Sequence, residues 1–189
     1  ETMLLKKWPK GGPRLVWEMH RGSGYSSPAI SGSKLVYLHR EGAEELIECL
    51  KAETGKPIWR YGYECRYRDR FGYNNGPRTS AVISEDRVYS LGVEGKLHCL
   101  ELDSGELVWK QDLFKKYGLR QNFFGLGPTP LVEGNLLIIN VGAPGGPCVV
   151  AFDKTDGKVI WKAGNQWGAS YATPVPATVH GQRRVFGFT

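Results

Sequence analysis

The chain has 189 residues, a formal net charge of +6 and 41% hydrophobic residues. This length and composition suit a folded domain with a buried core, and they exclude a disordered or collagen-like chain. No apolar run approaches the roughly 20 residues that cross a bilayer as a helix, and the four cysteines form no CxxC pair that would indicate a zinc or dithiol motif.

Short runs of β-branched, leucine and aromatic residues follow one another along the chain. Turns rich in Gly, Asp, Ser and Asn separate them. Because the apolar residues show no helical spacing, and because Gly and Pro are frequent, we predict strands rather than helices. The first run is Pro13 to Met19, which includes Trp17. Later groups begin with the runs 27–38, 79–91, 129–140 and 173–188.

Three decapeptides share one pattern, with glycine fifth, tryptophan ninth and a basic residue tenth. They are KAETGKPIWR (51–60), ELDSGELVWK (101–110) and DKTDGKVIWK (153–162). We expect the glycine to adopt the positive φ of a tight turn and the tryptophan to pack between neighbouring sheets. The structural repeat residues are therefore Gly55, Trp59, Gly105, Trp109, Gly157 and Trp161.

Four strands in about fifty residues is the period of a β-propeller blade. The predicted fold class is all-β, a propeller of four-stranded antiparallel blades. Residues 25–67, 77–112 and 127–163 are each predicted to form a blade, and residues 171–189 the first two strands of another. Residues 1–24 are predicted to lead into the first blade and to supply, at residues 13–19, the outer strand of a preceding one.

The repeat resembles that of the PQQ-like propeller family, which includes the quinoprotein alcohol dehydrogenases and the propeller lipoprotein of the bacterial outer-membrane assembly machinery. The resemblance rests on the G-x-x-x-W units after apolar strands and on the opening ETMLLKKWPKGGPRLVW, followed by GSGYSSPAI. It implies an eight-bladed ring, of which this chain is expected to form about half. The rest of a longer polypeptide, or a second copy, is expected to supply the missing blades. The resemblance also implies a periplasmic or cell-envelope location, although the chain shows no signal-peptide pattern.

The connections from the outer strand of one blade to the inner strand of the next are the longest loops, and we expect them to surround the central channel on one face. The loop 60–80 combines arginines with aromatic residues, which suits anionic or planar ligands. A purely structural role explains the same composition: the tyrosines would pack over the neighbouring blade, and the arginines would be solvated or ion-paired. The ligand-binding candidates are Tyr25, Arg66, Arg68, Arg70, Tyr73, Asn75, Arg78, Asn122, Trp167 and Tyr171.

Arg78 departs from the repeat, because a small residue or proline stands at the equivalent position at the start of the other inner strands. Those strand starts are expected to ring the channel mouth. This departure is consistent with a functional role for Arg78. It is equally consistent with an arginine that only fills a solvated channel.

Two functions remain open from the sequence. The first is a non-catalytic binding or scaffold module that docks a protein, an anionic polymer or a small planar ligand. The second, which the resemblance implies, is a PQQ- and calcium-dependent alcohol or polyol dehydrogenase. Calcium requires several oxygen ligands, and the channel-side loops offer asparagines but only one acid beside the arginines, Asp69. No metal site, catalytic residue or cofactor is evident, and no nucleic-acid-binding motif appears.

Overall fold

The computed structural model describes residues 7–121 and 123–188. The first sheet contains β1 (Ala29–Ser31), β2 (Lys34–Glu41), β3 (Glu44–Lys51) and β4 (Pro57–Glu64). The second contains β5 (Val82–Ser84), β6 (Arg87–Leu91), β7 (Lys96–Glu101) and β8 (Leu107–Asp112), and the helix α1 (Leu113–Tyr117) follows it. The third contains β9 (Leu131–Glu133), β10 (Leu136–Asn140), β11 (Val149–Asp153) and β12 (Val159–Ala163). A hairpin of β13 (Val175–Val179) and β14 (Gln182–Phe186) completes the described strands.

Every four-stranded sheet is antiparallel, and its strands lie side by side in chain order. The short inner strands β1, β5 and β9 neighbour one another, so the sheets are arranged side by side about their inner edges. The predicted fold class, an all-β propeller of four-stranded antiparallel blades, is confirmed as a partial propeller. The described residues contain no helix long and apolar enough to span a bilayer.

The core lies between the blades rather than within them. Leu97, Leu137 and Phe152 belong to the cluster that joins the second and third blades. Val36 and Leu100 belong to the cluster that joins the first and second. Because a sheet one layer thick cannot bury both its faces alone, each blade depends on its neighbours for its core.

In the first and second blades, a tryptophan lies against a glycine of the blade that follows. The indole Nε1 of Trp59 donates to the carbonyl oxygen of Leu102 at 2.9 Å. A Cβ on Gly105, where φ is +74°, would lie 2.6 Å from the Trp59 ring. Trp109 and Gly157 repeat this arrangement, with 2.7 Å between the ring and the added Cβ. The glycine is thus required both by its backbone conformation and by the close approach of the ring.

Trp17 makes the same contact with the first blade, although its segment differs from the prediction. The Trp17 indole donates to the carbonyl of Ala52 at 2.8 Å, and a Cβ on Gly55 would lie 2.7 Å from its ring. Pro13 to Met19, however, forms no β-strand. A strand requires a hydrogen-bonded neighbour, and no other strand of the described residues pairs with this segment.

The outer strand of each blade carries a β-bulge at the same position. The pairing of β3 with β4 shifts between Cys49 and Leu50, so that Ile58 has no partner. The same shift leaves Val108 and Ile160 unpaired in the next two blades. A bulge increases the local twist of a strand, and here it comes directly before the tryptophan that contacts the next blade.

A candidate binding surface at the channel mouth

Four of the ten predicted binding residues line one cavity of about 390 Å³. They are Tyr25, Tyr73, Arg78 and Tyr171, and Phe124 and Gly127 complete its lining. Tyr25 precedes the inner strand of the first blade, Arg78 that of the second and Tyr171 the hairpin β13–β14. The cavity therefore lies where several blades present the starts of their inner strands. We call it the channel mouth.

Arg78 is the buried centre of the channel mouth. Its Nη2 donates to Asp69 Oδ2 at 3.1 Å and to the carbonyl of Asn74 at 2.7 Å. Its Nε donates to the carbonyl of Phe124 at 3.3 Å. The side chain of Arg78 is 9% exposed, and that of Asp69 is fully buried. The positive charge of Arg78 is therefore balanced inside the loop rather than offered to a ligand.

Asp69 organises the loop that carries Arg78. Its carboxylate accepts hydrogen bonds from the backbone N–H groups of Phe71 at 2.9 Å and Asn74 at 3.1 Å. The Phe71 N–H makes the largest contribution to holding the pKa of Asp69 below its ordinary value. The Asn74 N–H and the Arg78 guanidinium add to this effect, and burial opposes it. An ionised Asp69 thus fixes both the turn and the arginine.

A second arginine, which sequence reasoning missed, fixes the same loop from β2. The Arg40 guanidinium donates to the carbonyls of Cys65 at 2.8 Å, Tyr67 at 2.6 Å and Asn75 at 2.9 Å. Its Nε donates to the carbonyl of Gly42 at 3.0 Å. No pattern in the sequence links Arg40 to this loop, because the contact joins a strand to backbone atoms more than twenty residues away.

Aromatic rings cover the surface beside the channel mouth. Phe71 stacks on Phe123 with 4.7 Å between ring centroids, and Phe124 lies 5.7 Å from Tyr171. The exposed fraction is 69% for Tyr73, and it is 60% for Tyr25 and 41% for Tyr171. The hydroxyl of Tyr171 accepts from the backbone N–H of Phe124 at 2.9 Å, which holds two of these rings together.

Phe123 and Phe124 were not among the predicted residues. The only sequence signal for them is their adjacency in a channel-side loop, just before Gly125 and the start of the third blade. Arg78 lies below two of the rings, with its Cζ 4.7 Å from the Tyr25 centroid and 5.6 Å from that of Phe124. A cation beneath a ring attracts it electrostatically, so Arg78 positions the aromatic surface.

The structure places five of the other six candidates outside this cavity. Arg66 is exposed and pairs with Glu64 at 2.6 Å. Arg68 and Arg70 are exposed and form no ion pair with a residue that the structure describes. The Asn75 side chain accepts from the backbone N–H of Asp69 at 2.8 Å and so belongs to the loop's own framework. Trp167 is exposed but does not line the cavity. Asn122 lies outside the described residues.

The described residues do not fit the calcium site of a quinone cofactor. Calcium takes six to eight oxygen ligands, several of them carboxylates. The carboxylate at the channel mouth, Asp69, already accepts from two backbone N–H groups and the Arg78 guanidinium. Within residues 7–121 and 123–188, no three acidic, histidine or cysteine residues lie close enough to hold a metal ion.

Comparison with known proteins gives related propellers with different activities. A family model described as "Outer membrane protein assembly factor BamB" matches residues 43–189. The chain is 29% identical over 122 residues to quinohemoprotein alcohol dehydrogenase ADH IIB of Pseudomonas putida, covering 61% of this chain and 17% of that protein. It is 30% identical over 123 residues to the dehydrogenase subunit of the quinone alcohol dehydrogenase of Gluconobacter oxydans (strain 621H), covering 61% of this chain and 16% of that protein.

Among solved structures, a europium-containing methanol dehydrogenase matches with a TM-score of 0.56 and 16% identity. The match covers 79% of this chain and 27% of that one. At this identity the likeness concerns the fold alone. The chain spans about a sixth of the length of the curated relatives it matches, 17% and 16%.

Proposed function

Because this chain belongs to the PQQ-like propeller family described as outer membrane protein assembly factor BamB, we propose that it is a non-catalytic binding module of the bacterial cell envelope. Its channel mouth binds an extended segment of a partner protein that carries aromatic side chains. Fold alone does not determine function, so the proposal depends on the chemistry of this surface.

One observation carries the proposal: the rings around the channel mouth are exposed, whereas the charge of the arginine beneath them is balanced by an ion pair. Tyr73 and Tyr25 are more than half exposed, and the Arg78 guanidinium pairs with Asp69 at 3.1 Å. Tyrosine supplies a large amphipathic contact area at low conformational cost. A surface of this kind favours aromatic and apolar partners over anionic polymers.

The test is a binding measurement with defined peptides. Fluorescently labelled peptides of about ten residues, the length of a long strand, alternate Tyr or Phe with Ser and Thr. We expect saturable binding that Tyr73→Ala weakens by about tenfold. Leu15→Ala is the matched control, because Leu15 is exposed to 68%, nearly as much as Tyr73, and lies away from the mouth. Equal affinity of the Tyr73→Ala and parent proteins contradicts the proposal.

Inorganic polyphosphate is the second probe in this experiment. Since Arg78 is balanced by Asp69, we expect no binding of the polymer at the channel mouth. Binding that competes with the aromatic peptides and depends on Arg78 would replace the proposed protein partner by an anionic polymer.

The second candidate function is quinone-dependent alcohol oxidation, which the two dehydrogenase relatives support. It is tested by adding PQQ and Ca²⁺ to the full-length protein, removing the excess by desalting, and measuring cofactor absorbance and dye-coupled oxidation of ethanol. Retention of PQQ together with turnover would establish the dehydrogenase and remove the proposal of a non-catalytic module.

A further inference from the structure

A second cavity, of about 380 Å³, lies between the outer parts of the first two blades. It shares no lining residue with the channel mouth. The register of β7 with β8 pairs Lys96 with Asp112 and His98 with Lys110. We call this cavity the interblade slot. It is lined by Tyr61 and Tyr63 from β4, Lys96 and His98 from β7, and Lys110, Gln111 and Asp112 from β8.

His98 is the least expected residue of the interblade slot. It is 3% exposed, and its ring lies 4.3 Å from that of Tyr63 and 5.4 Å from that of Tyr61, centroid to centroid. Its Nδ1 has no hydrogen-bond partner among the described residues. A buried polar atom without a partner destabilises the fold. Such an atom beside a cavity indicates a place for a ligand.

The repeat itself shows that histidine is not needed here for packing. Cys99 pairs with Trp109 in the second blade, and Ala151 pairs with Trp161 in the third. The position before each of these is therefore equivalent, and His98 corresponds to Val150. Val150 is fully buried in the core between the second and third blades. Apolar packing fills the interface between the second and third blades. Between the first and second blades, His98, Tyr61 and Tyr63 leave a cavity, the interblade slot.

The charges of the slot are nearly balanced. Lys96 lies 3.4 Å from Glu94. Lys110 forms no ion pair with a described residue, and Asp112 uses one carboxylate oxygen to cap α1 through the Lys115 N–H at 2.9 Å. A balanced mixture of donors and acceptors does not favour a strongly charged ligand. It suits hydroxyl groups, because each hydroxyl can both donate and accept.

We propose that the interblade slot binds a pyranose ring, either as a free sugar or as the terminal unit of a glycan. The hydroxyls of the sugar pair with His98, Lys110 and Asp112, and its apolar face lies against the tyrosine rings. The volume of the slot is that of a small-ligand site, and Tyr63 is held in place because its hydroxyl donates to Glu45 at 2.9 Å.

The test follows the imidazole resonances of the ¹⁵N-labelled full-length protein by NMR at pH 7. Burial, together with the charges of Lys110 and Lys96, lowers the pKa of His98 to about 4, so that the ring is neutral under these conditions. The probes are methyl α-D-glucopyranoside and N-acetylglucosamine for the free sugar, and N,N′,N″-triacetylchitotriose for a glycan end. Benzoate and tetrahydropyran are the anionic and the hydroxyl-free controls.

We expect saturable shifts of the His98 resonances with at least one sugar below about 100 mM, and none with either control. His98→Val, which installs the residue of the third blade, should weaken sugar binding by at least about tenfold, as measured in this variant from the backbone amide resonances of Lys96 and Asp112. Lys110→Met keeps the aliphatic stem at an exposed position, removes the charge, and should weaken binding as well. His20→Val, at an exposed position outside the slot, should leave binding unchanged.

The source of the sugar is read from the glycan arm of the experiment. Tighter binding of N,N′,N″-triacetylchitotriose than of N-acetylglucosamine assigns the slot to a glycan end, and equal binding assigns it to a free sugar. Absence of any sugar-dependent shift overturns the proposal, as does undiminished binding by both His98→Val and Lys110→Met. A stronger response to benzoate than to the sugars overturns it too, since it makes the slot an anion site.

Discussion

The guanidinium of Arg78 and the carboxylate of Asp69 form a buried ion pair at the channel mouth, 3.1 Å apart. Eight residues separate them in the chain, and the loop between them folds so that the backbone N–H groups of Phe71 and Asn74 complete the coordination of the carboxylate. The pair gives Arg78 a structural role beneath the rings of Tyr25 and Phe124.

We expect Arg78→Ala to destabilise the protein. Removing one partner of a buried pair leaves the other charge without compensation, which is among the more costly changes in a folded protein. The midpoint of thermal unfolding should fall by about 5 °C or more, as measured by circular dichroism. Arg68→Ala is the control, because Arg68 is exposed and forms no ion pair with a described residue. An unchanged midpoint in Arg78→Ala would mean that the pair contributes nothing.

Arg40→Lys should loosen the same loop from its other side. Lysine carries one ammonium group and cannot reproduce the planar fork that reaches the carbonyls of Cys65, Tyr67 and Asn75. We expect a loss of about 2 kcal/mol in the free energy of unfolding, measured by urea titration. Arg66→Lys, where the arginine is exposed and faces Glu64, should change it by less than about 0.5 kcal/mol. Equal effects of the two substitutions would contradict this account.

Gly105→Ala tests the contact between a tryptophan and the following blade. The new Cβ would lie 2.6 Å from the Trp59 ring at a residue whose φ is +74°. We expect a loss of about 2–4 kcal/mol from backbone strain and overpacking together. Gly134→Ala separates the two causes, since Gly134 has a φ of +59° but nothing within 4 Å of the added Cβ. Its cost should be about 1–2 kcal/mol, and an equal cost at both positions would exclude the ring contact as a cause.

His98 should make the protein less stable in mild acid. Its pKa is lowered to about 4 from the ordinary 6.5, chiefly by burial. Between these values the unfolded chain binds a proton that the folded protein does not, so stability is complete above pH 6.5 and falls as the pH decreases toward 4. The loss amounts to about 3 kcal/mol.

Urea titrations of the parent and His98→Val at pH 7 and pH 4.5 measure this loss. His39, whose pKa burial also lowers, contributes equally in both proteins and cancels in the difference. We expect the variant to lose less stability than the parent on acidification. The same pH dependence in both proteins would show that His98 does not titrate as described.

The strand repeat and the blade architecture could be predicted because they depend on local rules. Turn glycines such as Gly105 and short runs of apolar residues set the secondary structure, and their fixed period sets the blade. Pro13 to Met19 has the composition of a strand but forms none, because strand formation depends on a neighbour and not on composition alone. Trp17 nevertheless contacts Gly55, because this contact requires only the indole ring and the turn of the next blade.

The channel mouth could be predicted only in outline. Its position follows from the loops that connect blades, which is why Tyr25, Tyr73, Arg78 and Tyr171 were found together. The partner of Arg78 could not be deduced, because an arginine beside Asp69 in a loop can pair with it or remain solvated. That outcome depends on three-dimensional hydrogen bonds to the backbone.

Within the described residues, the tryptophan-to-glycine contact runs in one direction, toward the following blade, at Trp17–Gly55, Trp59–Gly105 and Trp109–Gly157. The interface between two blades is therefore heterologous, with a tryptophan ring on one side and a glycine turn on the other. Mechanical coupling in the protein is consequently directional and limited to nearest neighbours. A substitution at one of these glycines should therefore loosen a single interface between blades and leave the other interfaces intact.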